Sequence, residues 1–241
     1  MNSEMKSKTF KILGALMAYP SWGIIEARDE IDLVLQKEGW LSDKRRIDIR
    51  SLIQEMSNKD LLDTQEEYVA LFDRTPSLSL HLFEHVHGDS RDRGQAMVEL
   101  DGLYREKGLH NSSEHTPDYL PMFLEYLSLL SVEIAQSNLE GAVDVIAAIG
   151  ARLKKRKSSY ACLFEALQDI SACKPDLKKL RSALQADPGD LLTQEQMDKA
   201  WEEQFAFDQA SEARNGGGCP KADEMLARMG MPASNNEEAK Q

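Results

Sequence analysis

No stretch of this chain approaches the roughly 18 consecutive apolar residues from which a membrane-spanning helix is built. One lysine-flanked apolar run lies near the start, Ile12 to Ala18. It is short and broken by Gly14, and no A-x-A cleavage pattern follows it. It therefore reads as the first core helix rather than a signal peptide. Cysteine is scarce: Cys162, Cys173 and Cys219, an odd number with no C-x-x-C pair. That excludes a disulfide framework and fits reduced, cytosolic usage. There is no Gly-rich phosphate loop and no long internal repeat. Positive charge is also in deficit. Lys and Arg total 29 against 41 Asp and Glu, a net charge of -12. A surface of that sign repels phosphate backbones and anionic lipid, so nucleic acid and membrane are poor partners and a basic partner is favoured.

What is present is a helical pattern. The 241 residues suit one large domain or two small ones, and 41% hydrophobic residues are enough for a sizeable core. Phe10, Leu13, Leu16 and Met17 form one face, closed by Pro20. Ile24, Ile25, Ile31, Val34 and Leu35 predict a second helix ended by Gly39. Ser42 caps a third, and a fourth runs from about Asp60 to Phe72. Ser90 can cap "RDRGQAMVELDGLYREKG". Thr116-Pro117 is a start signal, which puts Asp118 in the first turn of a helix, where the dipole favours a carboxylate; Pro121 should kink that helix or delay its start. "LEGAVDVIAAIGARLKKRK" and "SSYACLFEALQDISACK" predict two more. The second would place Cys162 and Cys173 about three turns apart as core thiols. Thr193 to Gln196 is a possible capping box. From Ser211 onward the chain is rich in Gly, Ser, Asn and Glu. The expectation is an all-α fold of about ten helices in one domain over 1–210, with a flexible tail over 211–241.

Three of the five histidines fall within "SLSLHLFEHVHGDSRDRGQ". His81, Glu84 and His85 make H-x-x-E-H, the spacing of the inverted zinc proteases. On a helical wheel these three share a polar, outward face opposite Leu80, Leu82, Phe83 and Val86. A catalytic zinc site also needs a third ligand and a dry cleft, and no residue is singled out for either. Leu78, Leu80 and Leu82 also alternate with polar residues, so the front of the segment could be extended. The alternative to a zinc-dependent hydrolase is an intramolecular polar network of His81, Glu84, His85, His87, Arg91 and Arg93, with Asp89, Glu84 or a carboxylate elsewhere as partners for the arginines. No metal or cofactor is expected.

A longer run is more specific. "YVALFDRTPSLSLHLFEHVHGDSRDRGQAMVEL" resembles the NarJ-type assembly chaperones of respiratory nitrate reductase, the delta-subunit group within the TorD/DmsD family of redox-enzyme maturation chaperones. The resemblance continues in "TPDYLPMFLEYLSLL", "ARLKKRKSSYACLFEAL" and "AWEEQFAF". It implies a cytoplasmic, all-helical, non-enzymatic protein of the TorD-like type. Such a protein binds the apo catalytic subunit of nitrate reductase, largely through its N-terminal peptide. It keeps that subunit competent for molybdenum-cofactor insertion and is absent from the finished enzyme. Molybdenum-cofactor biosynthesis proteins are further candidate partners. The family's Y-x-x-L-F element matches Tyr68, Leu71 and Phe72, which on residue type alone share one helical face and read as core. Its E-P-x-D-H element matches in part: Pro117 precedes Asp118 at the Asp position, Glu114 lies further upstream, and Tyr119 stands where the wider family has His. The resemblance makes these six residues, Tyr68, Leu71, Phe72, Pro117, Asp118 and Tyr119, the expected client-peptide site.

Overall fold

The computed structural model describes residues 7–87, 91–110 and 115–185, leaving aside the side chains of His87, Arg91, Asp92, Ala183 and Gln185. Among them the chain is all-α. Its helices are α1 (Lys8–Met17), α2 (Trp22–Glu26), α3 (Arg28–Glu38), α4 (Asp43–Ser57), α5 (Leu61–Tyr68), α6 (Glu84–His87), α7 (Arg91–Glu106), α8 (Leu120–Leu127), α9 (Val132–Lys155), α10 (Ala161–Ile170) and α11 (Leu177–Gln185). A π-helical turn, Val69–Asp73, continues α5, and a 3₁₀ turn covers Pro76–Leu78. The residues of the expected tail and the Thr193 capping box lie outside those described.

Local chemistry fixes several helix ends. Ser42 Oγ accepts from Arg45 N and Asp60 Oδ1 from Leu62 N, each satisfying an orphan first-turn donor. Gly39 ends α3 at φ +69°, the left-handed conformation that suits glycine. The start of α1 is capped from a distance. The Glu38 carboxylate, at the end of α3, accepts from Lys8 N at 2.8 Å, Thr9 N at 2.9 Å, and the Ser7 and Thr9 hydroxyls at 2.7 Å each. Burial pushes the Glu38 acid up, but these donors outweigh it and hold it below the ordinary range.

The core is built around α8, α9 and α10. In α8, Leu120, Pro121, Phe123, Leu124, Tyr126 and Leu127 are buried. Two glycines bring helices to van der Waals range. A Cβ on Gly14 of α1 would lie 2.8 Å from the Pro121 carbonyl oxygen, and one on Gly150 of α9 would lie 2.9 Å from Phe164 Cβ.

Several elements differ from the expectation. The second predicted helix breaks at Ala27 into α2 and α3, and Asp29 and Glu30 supply the acidic first turn of the new helix. Thr116-Pro117 does not start α8. The helix begins at Leu120 with Pro121 in its first turn, where the missing N–H costs nothing. The preceding backbone pairs with the alternating leucine segment instead: Leu82 N donates to Asp118 O at 3.0 Å and Leu120 N to Leu80 O at 2.8 Å, an antiparallel bridge of His81 with Tyr119. Cys162 is a buried α10 thiol, pushed up to about 12 by burial, whereas Cys173 lies beyond the helix end at Ile170 and is exposed. The sulfurs do not share a helix because Ser171 leaves the helical conformation.

Candidate functional site

Three segments meet at the bridge: Tyr68 to Asp73, Ser79 to His85, and His115 to Leu120. Asp118 is fully buried. Its Oδ2 accepts from Phe83 N at 3.1 Å, and its Oδ1 accepts from the Thr116 hydroxyl and lies 3.4 Å from His81 Nδ1. With the Thr116 hydrogen given to Asp118, the 3.0 Å contact between Thr116 Oγ1 and His81 Nδ1 requires the proton on Nδ1. Burial pushes the Asp118 acid up. The hydrogen bonds from His81 and Thr116, the imidazole charge and the Phe83 N–H prevail and hold it below the usual aspartate range. Asp118 is thus a clasp between two loops, not a first-turn helix residue.

Tyr119 extends the clasp into the core. Its hydroxyl lies 3.0 Å from that of Tyr68, which donates to the Met17 carbonyl at 2.9 Å, so Tyr119 donates to Tyr68. Burial raises both phenols, which remain neutral donors. The Tyr119 ring stacks on His115 at 4.0 Å, and Tyr68 sits among Tyr19, Phe72 and Tyr160. Phe72 is buried. The Pro117 carbonyl accepts from the Tyr104 hydroxyl at 2.8 Å. The two family elements, 51 residues apart, are therefore joined directly through Tyr68 and Tyr119.

Leu71 alone of the expected Y-x-x-L-F set opens outward. It is half-buried and lines a cavity of about 430 Å³ with Leu52, Met56, Lys59, Lys157 and Tyr160. The π turn explains the split. Bonding i to i+5 advances each residue by less than the roughly 100° of an α-helix. Phe72 therefore stays beneath Tyr68 while Leu71 turns off the core face.

Among the described residues, members of the expected polar network make three pairings. His81 faces Asp118 and Thr116. His85 Nε2 donates to the Ser79 carbonyl at 2.8 Å, and Arg93 pairs with Glu84 at 3.3 Å. Burial lowers the His85 imidazole, and the Arg152 charge adds to that, against the Ser79 bond. The side chains of His87 and Arg91, and all of Asp89, lie outside the described residues. The outward-facing wheel does not form: His81 precedes α6, so His81, Glu84 and His85 never share one helical face. The H-x-x-E-H spacing thus loses the geometry that gives it meaning. Among the described residues no group of three or more His, Cys, Asp or Glu side chains is placed to hold a metal ion. Sequence reasoning missed Thr116 and Ser79, whose hydroxyl accepts from His81 N at 3.2 Å. A hydroxyl two residues before Asp118 was the available signal for Thr116.

The family described as "Nitrate reductase delta subunit" matches residues 41–166, a span that contains the whole clasp. The chain is 36% identical over 193 residues to the nitrate reductase molybdenum cofactor assembly chaperone NarJ of Escherichia coli K12, covering 80% of this chain and 81% of that protein. It is 34% identical over 194 residues to the probable chaperone NarW of the same organism, 80% of each chain. A probable NarJ of Bacillus subtilis is 26% identical over 183 residues, 69% of this chain and 90% of the relative. On the extent of the family match and of these identities, the chain belongs to the nitrate reductase delta subunit family.

Proposed function

We propose that this protein is a dedicated assembly chaperone for the catalytic subunit of respiratory nitrate reductase. It binds the N-terminal segment of that subunit in the cytoplasm, keeps it competent for molybdenum-cofactor insertion and membrane assembly, and does not remain in the finished enzyme. The observation that carries this reading is 36% identity over four-fifths of the chain to a protein named for that role. The site agrees with it. Its histidines, carboxylate and phenols are used on intramolecular bonds that hold loops together, which is scaffold work rather than chemistry. In this reading the six expected residues divide by role. Leu71 touches the client, while Tyr68, Phe72, Pro117, Asp118 and Tyr119 hold the surface in shape. Among the described residues no helix is long and apolar enough to cross a membrane.

The test is co-expression of the catalytic subunit with and without this protein, followed by purification and measurement of molybdenum per subunit. We expect near-stoichiometric metal with the chaperone and a small fraction without it. Equal molybdenum in both preparations would remove the proposal.

A further inference from the structure

A second groove adjoins the π turn. It has a volume of about 650 Å³ and is lined by Tyr19, Leu62, Glu66, Val69, Ala70 and Arg74, among others. Glu67 and Ala70 line both this groove and the Leu71 cavity, so the two run into one another over the turn. Tyr19 and Leu62 are large apolar side chains left 51% and 62% exposed. Tyr19 is nonetheless held in place, edge-on to Tyr68 with centroids 5.7 Å apart. The neighbouring Gln65 amide donates to the Pro20 carbonyl at 2.8 Å, which fixes the α1–α2 turn against α5. Pre-ordered aromatic and aliphatic surface beside open solvent is the composition of a recognition site.

The charges around it are unequal in kind. Glu67 is engaged by Lys59 at 2.6 Å. The exposed Glu66 carboxylate takes part in no hydrogen bond or ion pair among the described residues, and exposed Asp63 lies one turn before it on α5. A free carboxylate beside an aromatic face suits a cation carried on an apolar stem, through a charge pair and a cation–π contact. It disfavours phosphate and other anions. Arg74 in the same groove makes a uniformly cationic segment a poor fit, so the groove selects one basic residue set beside an apolar one rather than bulk charge.

We propose that the Tyr19–Leu62–Glu66 groove is the specificity subsite of the chaperone: it takes a basic residue and its apolar neighbour from an amphipathic client segment that crosses the π turn to reach the Leu71 cavity. The proposal rests on the client reading above, and its occupant is that same N-terminal peptide. The acidic chain, with a net charge of -12, supplies charge complementarity for encounter, and Glu66 supplies the register.

The test is a titration of full-length protein with a fluorescent synthetic peptide of the N-terminal segment of the nitrate reductase catalytic subunit, at low and high salt. Variants are Glu66→Lys, Tyr19→Ala and Leu71→Asp, each checked for an unchanged melting temperature. Glu66→Lys should weaken binding about tenfold at low salt and less at high salt, because rim charges act through a screened field. A peptide in which one basic residue is replaced by Glu should recover most of that loss on Glu66→Lys only. Tyr19→Ala should weaken binding at both salts. Wild-type affinity for both groove variants, with loss only in Leu71→Asp, overturns the subsite and leaves the client reading standing. No binding of the peptide to the wild-type protein overturns both.

Discussion

A carboxylate with no solvent contact must find donors or stay protonated. Asp118 finds them in Phe83 N, Thr116 and His81, and they hold its acid below the ordinary range. The sign of the pH dependence follows. A folded-state value below the unfolded one adds stability that is complete above the ordinary aspartate range and is lost as pH falls through the depressed value. Asp118→Asn keeps the shape but removes the charge. It should cost about 1.5–3 kcal/mol at neutral pH, the usual worth of hydrogen bonds to an ionised group. Thermal melts of both proteins from pH 7 to pH 3 should show a gap that narrows toward the acid end. A gap of constant size would mean that the charge is not what the clasp uses. His85 behaves in the same direction through a different cause: burial lowers it, so acid opposes its fold. The Asp118 charge itself raises His85, so Asp118→Asn lowers it further, and the gap is read below the range in which histidine titrates. Residue type and position alone did not distinguish Asp118 from a helix-start aspartate, since its donors Phe83 and His81 lie 35 and 37 residues away.

At the scale of elements, the sequence carried the helices well and their joints poorly. Ser42, Asp60 and Gly39 mark real ends because caps act within one turn. The break at Ala27, the late start of α8 and the π turn after Tyr68 were settled by packing instead. The α1–α8 contact shows how tightly. Gly14 faces the Pro121 carbonyl, and an added Cβ would lie 2.8 Å from backbone oxygen that cannot swing aside. Gly14→Ala should therefore destabilise by about 1–3 kcal/mol, although alanine is the better helix former. Gly102 of α7 meets nothing within 4 Å, so Gly102→Ala should stabilise by up to about 1 kcal/mol. Melting both variants beside the wild type checks the pair. A rise in both would show that α1 and α8 can separate freely. Because α8 begins directly after Tyr119, displacement of its first turn should also disturb the Tyr119–Tyr68 bond.

For the whole molecule, the division at residue 210 rests on composition alone. Residues 211–241 are too rich in Gly, Ser, Asn and Glu to bury much apolar area. A chain ended after Ala210 is expected to melt at the temperature of the full chain and to bind the client peptide equally well. A large drop in melting temperature would place the tail among the folding elements. Fold class, family and net charge were all legible, because each is a property of the whole string: helical periodicity over most of the chain, a long matching run around "LFEHVHGDSRDRGQAM", and the excess of 41 acidic over 29 basic residues. Which of the named residues meet in space was not legible in their spacing. Tyr68, Leu71 and Phe72 look equivalent in the sequence, yet the widened turn buries two and presents the third. His81 and His85 look like one motif, yet one closes a clasp on Asp118 and the other bonds the Ser79 carbonyl. Helix period and caps such as Ser42, Asp60 and Gly39 depend on neighbours a few residues away, and charge on composition, so the sequence by itself determined them. Which polar group is buried, and which apolar one faces solvent, depends on partners brought from distant segments, and only the tertiary structure decided that.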